Sequence, residues 1–97
     1  MNYNEMNSYE LFENGKKDGF TGNNKVKEVL SCMPINLKKK TLFNKVESYM
    51  YGYKVGMIER KLGSKDISLG GYSESILQDS AREEVQKLLK KAMRWLT

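Results

Sequence analysis

The chain has 97 residues, 39% hydrophobic content, a formal net charge of +5 and a pI near 9.3, which suits one small domain with a modest core and makes polyanions the default electrostatic partners. With no histidine and a single cysteine, imidazole catalysis, Cys/His zinc clusters and intramolecular disulfides are excluded from within the chain. Residues 1–14 lack the basic start of a signal peptide, and no stretch approaches the roughly 20 apolar residues of a membrane helix, so a cytoplasmic protein without a membrane partner is expected.

Charge is unevenly distributed. Residues 1–14 hold three acids and no bases, residues 15–65 twelve bases and four acids, residues 66–85 one base and five acids, and residues 86–97 four bases. The basic middle is therefore stronger than the net charge suggests.

The first element is predicted as a helix from about Asn4 to Gly19, with Met6, Tyr9 and Phe12 at helical spacing and an asparagine as cap. Gly22-Asn23-Asn24 stops it, and Asn24 can cap a short helix carrying Val26, Val29, Leu30 and Met33, which Pro34 ends. Cys32 reads as a small apolar filler beside Met33. From about Asn36 to Leu62 the residues Leu42, Phe43, Val46, Tyr49, Met50, Tyr53, Met57 and Ile58 form one broad stripe of a long helix, with Gly63 as its C-cap. Residues 63–71 are linker-like. A last helix within residues 72–97 begins at Ser75 or at Ser80, each the start of a capping-box pattern, and carries Leu77, Ala81, Val85, Leu88, Leu89, Ala92 and Leu96 on one face. No stretch alternates with a period of two. The fold class expected is all-α, a single domain of three or four helices built on a glycine-mediated helical hairpin (residues 1–62) plus a C-terminal amphipathic helix.

Glycine in a helix interior costs about 0.5–1 kcal/mol relative to alanine, so Gly15 and Gly19 in the first helix and Gly52 and Gly56 in the long one call for an explanation. The two pairs are 37 residues apart, and Tyr49 stands in the second where Phe12 stands in the first. Residues four apart share a helix face, so each pair forms a strip without side chains on which another backbone can lie. The expectation is that the two helices cross at these strips. Such a groove also accepts the helix of a second copy, which makes a homodimer a further expectation.

Gly15-xxx-Gly19-xx-Gly22, Pro34 and the run Tyr49-Met50-Tyr51-Gly52-Tyr53 together resemble ribosome modulation factor and its small relatives in bacteria and phages, over about residues 9–60. The resemblance implies two helices joined by a connector and packed through glycines, on a protein that sits on the RNA of the small ribosomal subunit and silences translation. The chain departs from the pattern in its longer gap between Gly22 and Pro34, in Ile35 after the proline, in tyrosines where the family has tryptophan, and in residues 63–97, which have no counterpart.

Candidate binding residues are basic. Lys38, Lys39 and Lys40 open the long helix, where the helix dipole favours anions, Lys45 follows, and Arg60, Lys61 and Lys65 close it. Either they form a solvated surface or they meet backbone phosphates, whose neutralisation releases counterions. Lys16, Lys17, Lys25 and Lys27 can join the same face. Tyr49 and Tyr53 read as core, whereas Tyr51, on the polar side, is the candidate platform for an unpaired base. Trp95, near Lys91 and Arg94, reads as a hydrophobic anchor. The carboxylates Asp66, Glu74, Asp79, Glu83 and Glu84 have no metal or acid/base spacing and no phosphate loop is present, so no enzyme, metal or cofactor is expected. Two functional readings remain. One is a small helical module that binds structured RNA or a ribonucleoprotein. The other is a phage or mobile-element inhibitor or adaptor of a host protein complex, such as an anti-CRISPR protein that occupies a nucleic-acid channel.

Overall fold

The computed structural model describes residues 2–34, 36–62 and 74–96, and the side chains of all of these except 62, 74 and 92–96. Among them there is no strand. A short 3-10 turn at Tyr3–Glu5 leads into α1 (Ser8–Thr21), α2 (Val26–Ser31), α3 (Lys39–Leu62) and α4 (Glu74–Leu96), so the expected all-α architecture is what the chain adopts. The expected glycine cap at position 63, the linker at 63–71, Lys65 and Asp66 lie outside the described residues, as do the side chains of Arg94 and Trp95.

α1 starts later than the sequence pattern suggests because a better cap lies at Asn7. Its side chain accepts from the Glu10 backbone N–H at 2.8 Å and its own N–H is accepted by the Glu10 carboxylate at 3.3 Å, a reciprocal capping box. Gly22 closes the helix in the left-handed conformation, φ 76°, and the Asn23 N–H reaches back to the Asp18 carbonyl at 2.9 Å. The Asn24 side chain accepts from the Val26 N–H at 3.0 Å, but the N-cap of α2 is Lys25, without a side-chain cap, instead of the expected Asn24; the helix stops at Ser31, three residues before Pro34. Ser75 lies in the first turn of α4, so the start proposed at Ser80 falls inside the helix.

The buried face of α1 is Leu11, Gly15 and Gly19, one residue per turn, with Tyr9 turned out at 70% exposure instead of joining the core. That face lies on α3, and the contact is backbone to backbone. A Cβ on Gly15 would stand 2.9 Å from the Tyr53 nitrogen and closer still to the Tyr49 carbonyl oxygen; one on Gly52 would stand 3.0 Å from the Lys16 nitrogen and closer to the Phe12 oxygen. Gly19 faces the Tyr53 carbonyl and Gly56 the Lys16 carbonyl in the same way. The relation is reciprocal: each glycine presents its Cα hydrogens to the carbonyl three residues before the corresponding glycine of the other helix, an arrangement suited to weak Cα–H···O contacts.

The register also gives the direction. Gly15 lies against Tyr49 and Tyr53 and Gly19 against Tyr53, while Gly52 meets Phe12 and Lys16 and Gly56 meets Lys16 and Phe20. Numbers rise together in both helices, so α1 and α3 run in the same direction. The expected hairpin is thus a parallel pair, and the segment carrying α2 returns along it to the start of α3. Because the two strips fill one another, neither is open to a second copy in this fold.

α3 does not bury a single stripe. Val55, outside the predicted stripe, is buried, and Met57, inside it, is 50% exposed. The reason is that α3 is central: α1 occupies its glycine face, α2 packs beside Val46 and Tyr49, and α4 lies across it, with Leu77 beside Val55 and Ile58 and Val85 beside Met50. Leu77, Ala81 and Val85 of α4 are buried as expected. Cys32 packs half-buried against the main cluster.

Tyr49 joins the layers. Its side chain is fully buried, its ring meets Tyr3 edge-on at 6.4 Å, its hydroxyl donates to the Asp18 carboxylate at 2.6 Å and accepts from the Lys25 N–H at 3.0 Å. Burial, then the bond to Asp18, pushes this hydroxyl far above the usual tyrosine range, so it stays a donor. One side chain on α3 therefore fixes the end of α1 and the start of α2.

Gly52→Ala gains about 1 kcal/mol of helix propensity but drives a methyl into backbone that can yield only by separating the helices. A net loss of about 2 kcal/mol or more in stability by denaturant titration is expected. Tyr49→Phe leaves the Asp18 carboxylate and the Lys25 N–H without their partner and is expected to cost about 1–3 kcal/mol in the same measurement.

Candidate functional site

The charged side chains divide into those the fold uses and those it leaves free. Three acids on α3 and α4 are paired internally: Glu59, 5% exposed, with Lys16 at 3.2 Å; Glu84 with Lys54 at 2.6 Å; and Glu47, 9% exposed, with Arg82 at 3.3 Å. Lys45 donates to the Asn4 carbonyl at 2.9 Å and ties the 3-10 turn to α3. Lys16 and Lys45, expected as nucleic-acid contacts, thus hold the fold together, because each is half-buried next to an acceptor that would otherwise be uncompensated.

Lys17, Lys38, Lys39, Lys40, Arg60 and Lys61 are exposed and carry no ion pair among the described residues. They do not gather in one place. Lys40 and Arg60 are 20 residues apart on one helix, about 30 Å along its axis at 1.5 Å per residue. Lys38, Lys39 and Lys40 therefore stand at one end of α3, and Arg60 and Lys61 at the other.

The second group has neighbours that the sequence does not reveal. The Arg60 guanidinium lies against Gly22, where an added Cβ would be 2.9 Å from its Nη1. Further along the same turn, Asn24 and Val26 line a groove of about 240 Å³ with Met50, Leu88 and the α4 lysines Lys87 and Lys91. The turn from Gly22 to Val26, which holds Lys25 and leads to the exposed Lys27, is thus flanked by cations from α3 and α4. Glu84 also lines the groove, but Lys54 neutralises it. Lys87 and Lys91 are not among the binding residues expected from the sequence. Only the packing of α4 across α3 brings them beside the turn.

Tyr51 is half-buried and lines a crevice with Asn44, Glu47, Ser48, Gln78 and Arg82. Its ring rests against Phe12, with centroids 5.3 Å apart and planes tilted by 54°. Among the described residues no group of three His, Cys, Asp or Glu side chains could hold a metal ion, and no helix is long and apolar enough to cross a membrane. Comparison with protein-family models, with curated proteins and with solved structures gives no match.

Proposed function

We propose that the protein is a non-catalytic module that binds structured RNA, alone or within a ribonucleoprotein, through exposed lysines and arginines. The observation that carries this reading is the division of charge: the buried Glu47 and Glu59 are paired with Arg82 and Lys16, and the exposed Glu84 with Lys54, while Arg60 of α3 and Lys87 and Lys91 of α4 meet at the Gly22 to Val26 turn without ion pairs among the described residues. Unpaired cations brought together from two helices suit backbone phosphates, where each neutralised phosphate releases counterions. Lys38, Lys39 and Lys40 add a second contact at the start of α3, where exposed backbone N–H groups also favour an anion.

A structured RNA titrated at several salt concentrations tests the proposal. Charge reversal of Lys38, Lys39 and Lys40 to Glu, and separately of Arg60, Lys87 and Lys91, is expected to weaken binding by at least tenfold at moderate salt. Each triple should also reduce the slope of log K against log salt by about 2–3, roughly one per lost phosphate contact. Native binding no tighter than that of an unrelated protein of equal size and charge would overturn the proposal. Capture of a host protein complex without RNA would favour an inhibitor or adaptor instead.

A further inference from the structure

A polar crevice adjoins the paired Glu47 and Arg82. It lies between the start of α1, the first half of α3 and α4, has a volume of about 370 Å³, and is lined by Asn44, Glu47, Ser48, Tyr51, Gln78 and Arg82, with Ser8 at its edge. That volume falls within the range of small-ligand sites, and its walls carry one aromatic ring among hydrogen-bonding groups. The side-chain amides of Asn44 and Gln78 make no hydrogen bond among the described residues, and both residues are exposed. Glu47 is almost fully buried and paired through one carboxylate oxygen, Oε1, with Nε of Arg82, whose Nη1 reaches only as far as Asp79 at 4.0 Å.

We infer that this crevice holds an unpaired guanine base of the bound RNA, an inference that rests on the RNA-binding reading above. Unpaired bases are recognised by an aromatic ring together with groups that bond their edges. Tyr51, which packs against Phe12 and lines the crevice, supplies the ring. The edge chemistry selects the base. A carboxylate presents two acceptors side by side, which match the adjacent N1–H and N2–H donors found on guanine alone, and a guanidinium matches guanine's O6 and N7 acceptors. The approach is also supplied. Asn44 stands one turn beyond Lys40 on the same side of α3, about 6 Å along the axis, so a base in the crevice leaves its phosphate within reach of Lys40.

The test uses the whole protein and labelled RNA hairpins with a single bulged guanosine, adenosine, cytidine or uridine, or with no bulge, read by fluorescence anisotropy. The bulged-guanosine hairpin is expected to bind at least tenfold tighter than the unbulged one and at least fivefold tighter than the other three. Asn44→Ala combined with Gln78→Ala, two exposed positions whose change should not disturb folding, is expected to reduce that preference at least threefold. Glu47→Gln, which replaces an acceptor by a donor, is expected to abolish the choice of guanosine over adenosine. Salt-sensitive binding that is equal for all five hairpins would overturn the base site while leaving the phosphate contacts in place. Absence of binding to every hairpin would overturn both.

Discussion

Four points of contact between bare backbone set the form of this protein. At Gly15, Gly19, Gly52 and Gly56 a main chain lies against a main chain, and no side chain larger than hydrogen fits between them. This explains why the two longest-range helical partners carry glycines that each cost helical stability. The contact is tight because it is reciprocal, each helix serving as the surface on which the other rests. It also fixes direction. Two helices matched glycine to glycine in parallel cannot be joined by a short turn, so the chain must return along the pair, and α2 packs on the way beside Val46 and Tyr49. The buried hydroxyl of Tyr49 then secures this return by bonding to Asp18 at the end of α1 and to the Lys25 backbone at the start of α2.

The same packing decides which charges remain available. With α1 drawn close to α3, Lys16 reaches the buried Glu59; with α4 lying across α3, Glu84 and Arg82 reach Lys54 and Glu47. Two of these pairs compensate carboxylates, Glu47 and Glu59, that burial would otherwise penalise. Most of the bases left over lie at the two ends of α3 and around the turn from Gly22 to Val26. A modest net charge thus becomes a surface whose exposed cations outnumber the acids near them, which is the electrostatic basis of the proposed RNA binding.

Much of the fold was legible in the sequence for identifiable reasons. The glycine pairs announced a close helix contact because few other roles fit two glycines four apart in an amphipathic helix. Gly22 announced a helix end, since only glycine adopts its positive φ without strain. The apolar positions of α4 announced its buried side because that helix has only one. α3 was harder to read, because a helix with partners on several sides has no single stripe, and so Met57 and Val55 exchanged places. The direction of the pair was invisible, as glycines four apart look alike in parallel and antiparallel contacts. Of the candidate site, the exposed lysines were legible as exposed, but the internal duties of Lys16 and Lys45 depend on partners 43 and 41 residues away. The bracing of Tyr51 by Phe12, and the arrival of Lys87 and Lys91 beside the turn, depend on tertiary packing in the same way.

Nuclear Overhauser effects in isotope-labelled protein test the central contact most directly. Strong cross-peaks are expected between the α-protons of Gly15 and the amide proton of Tyr53, and between the α-protons of Gly52 and the amide proton of Lys16, with a matching set from Gly56 to Phe20. Glycine α-protons without contacts across the helix pair, or contacts whose order runs in opposite directions along α1 and α3, would contradict it.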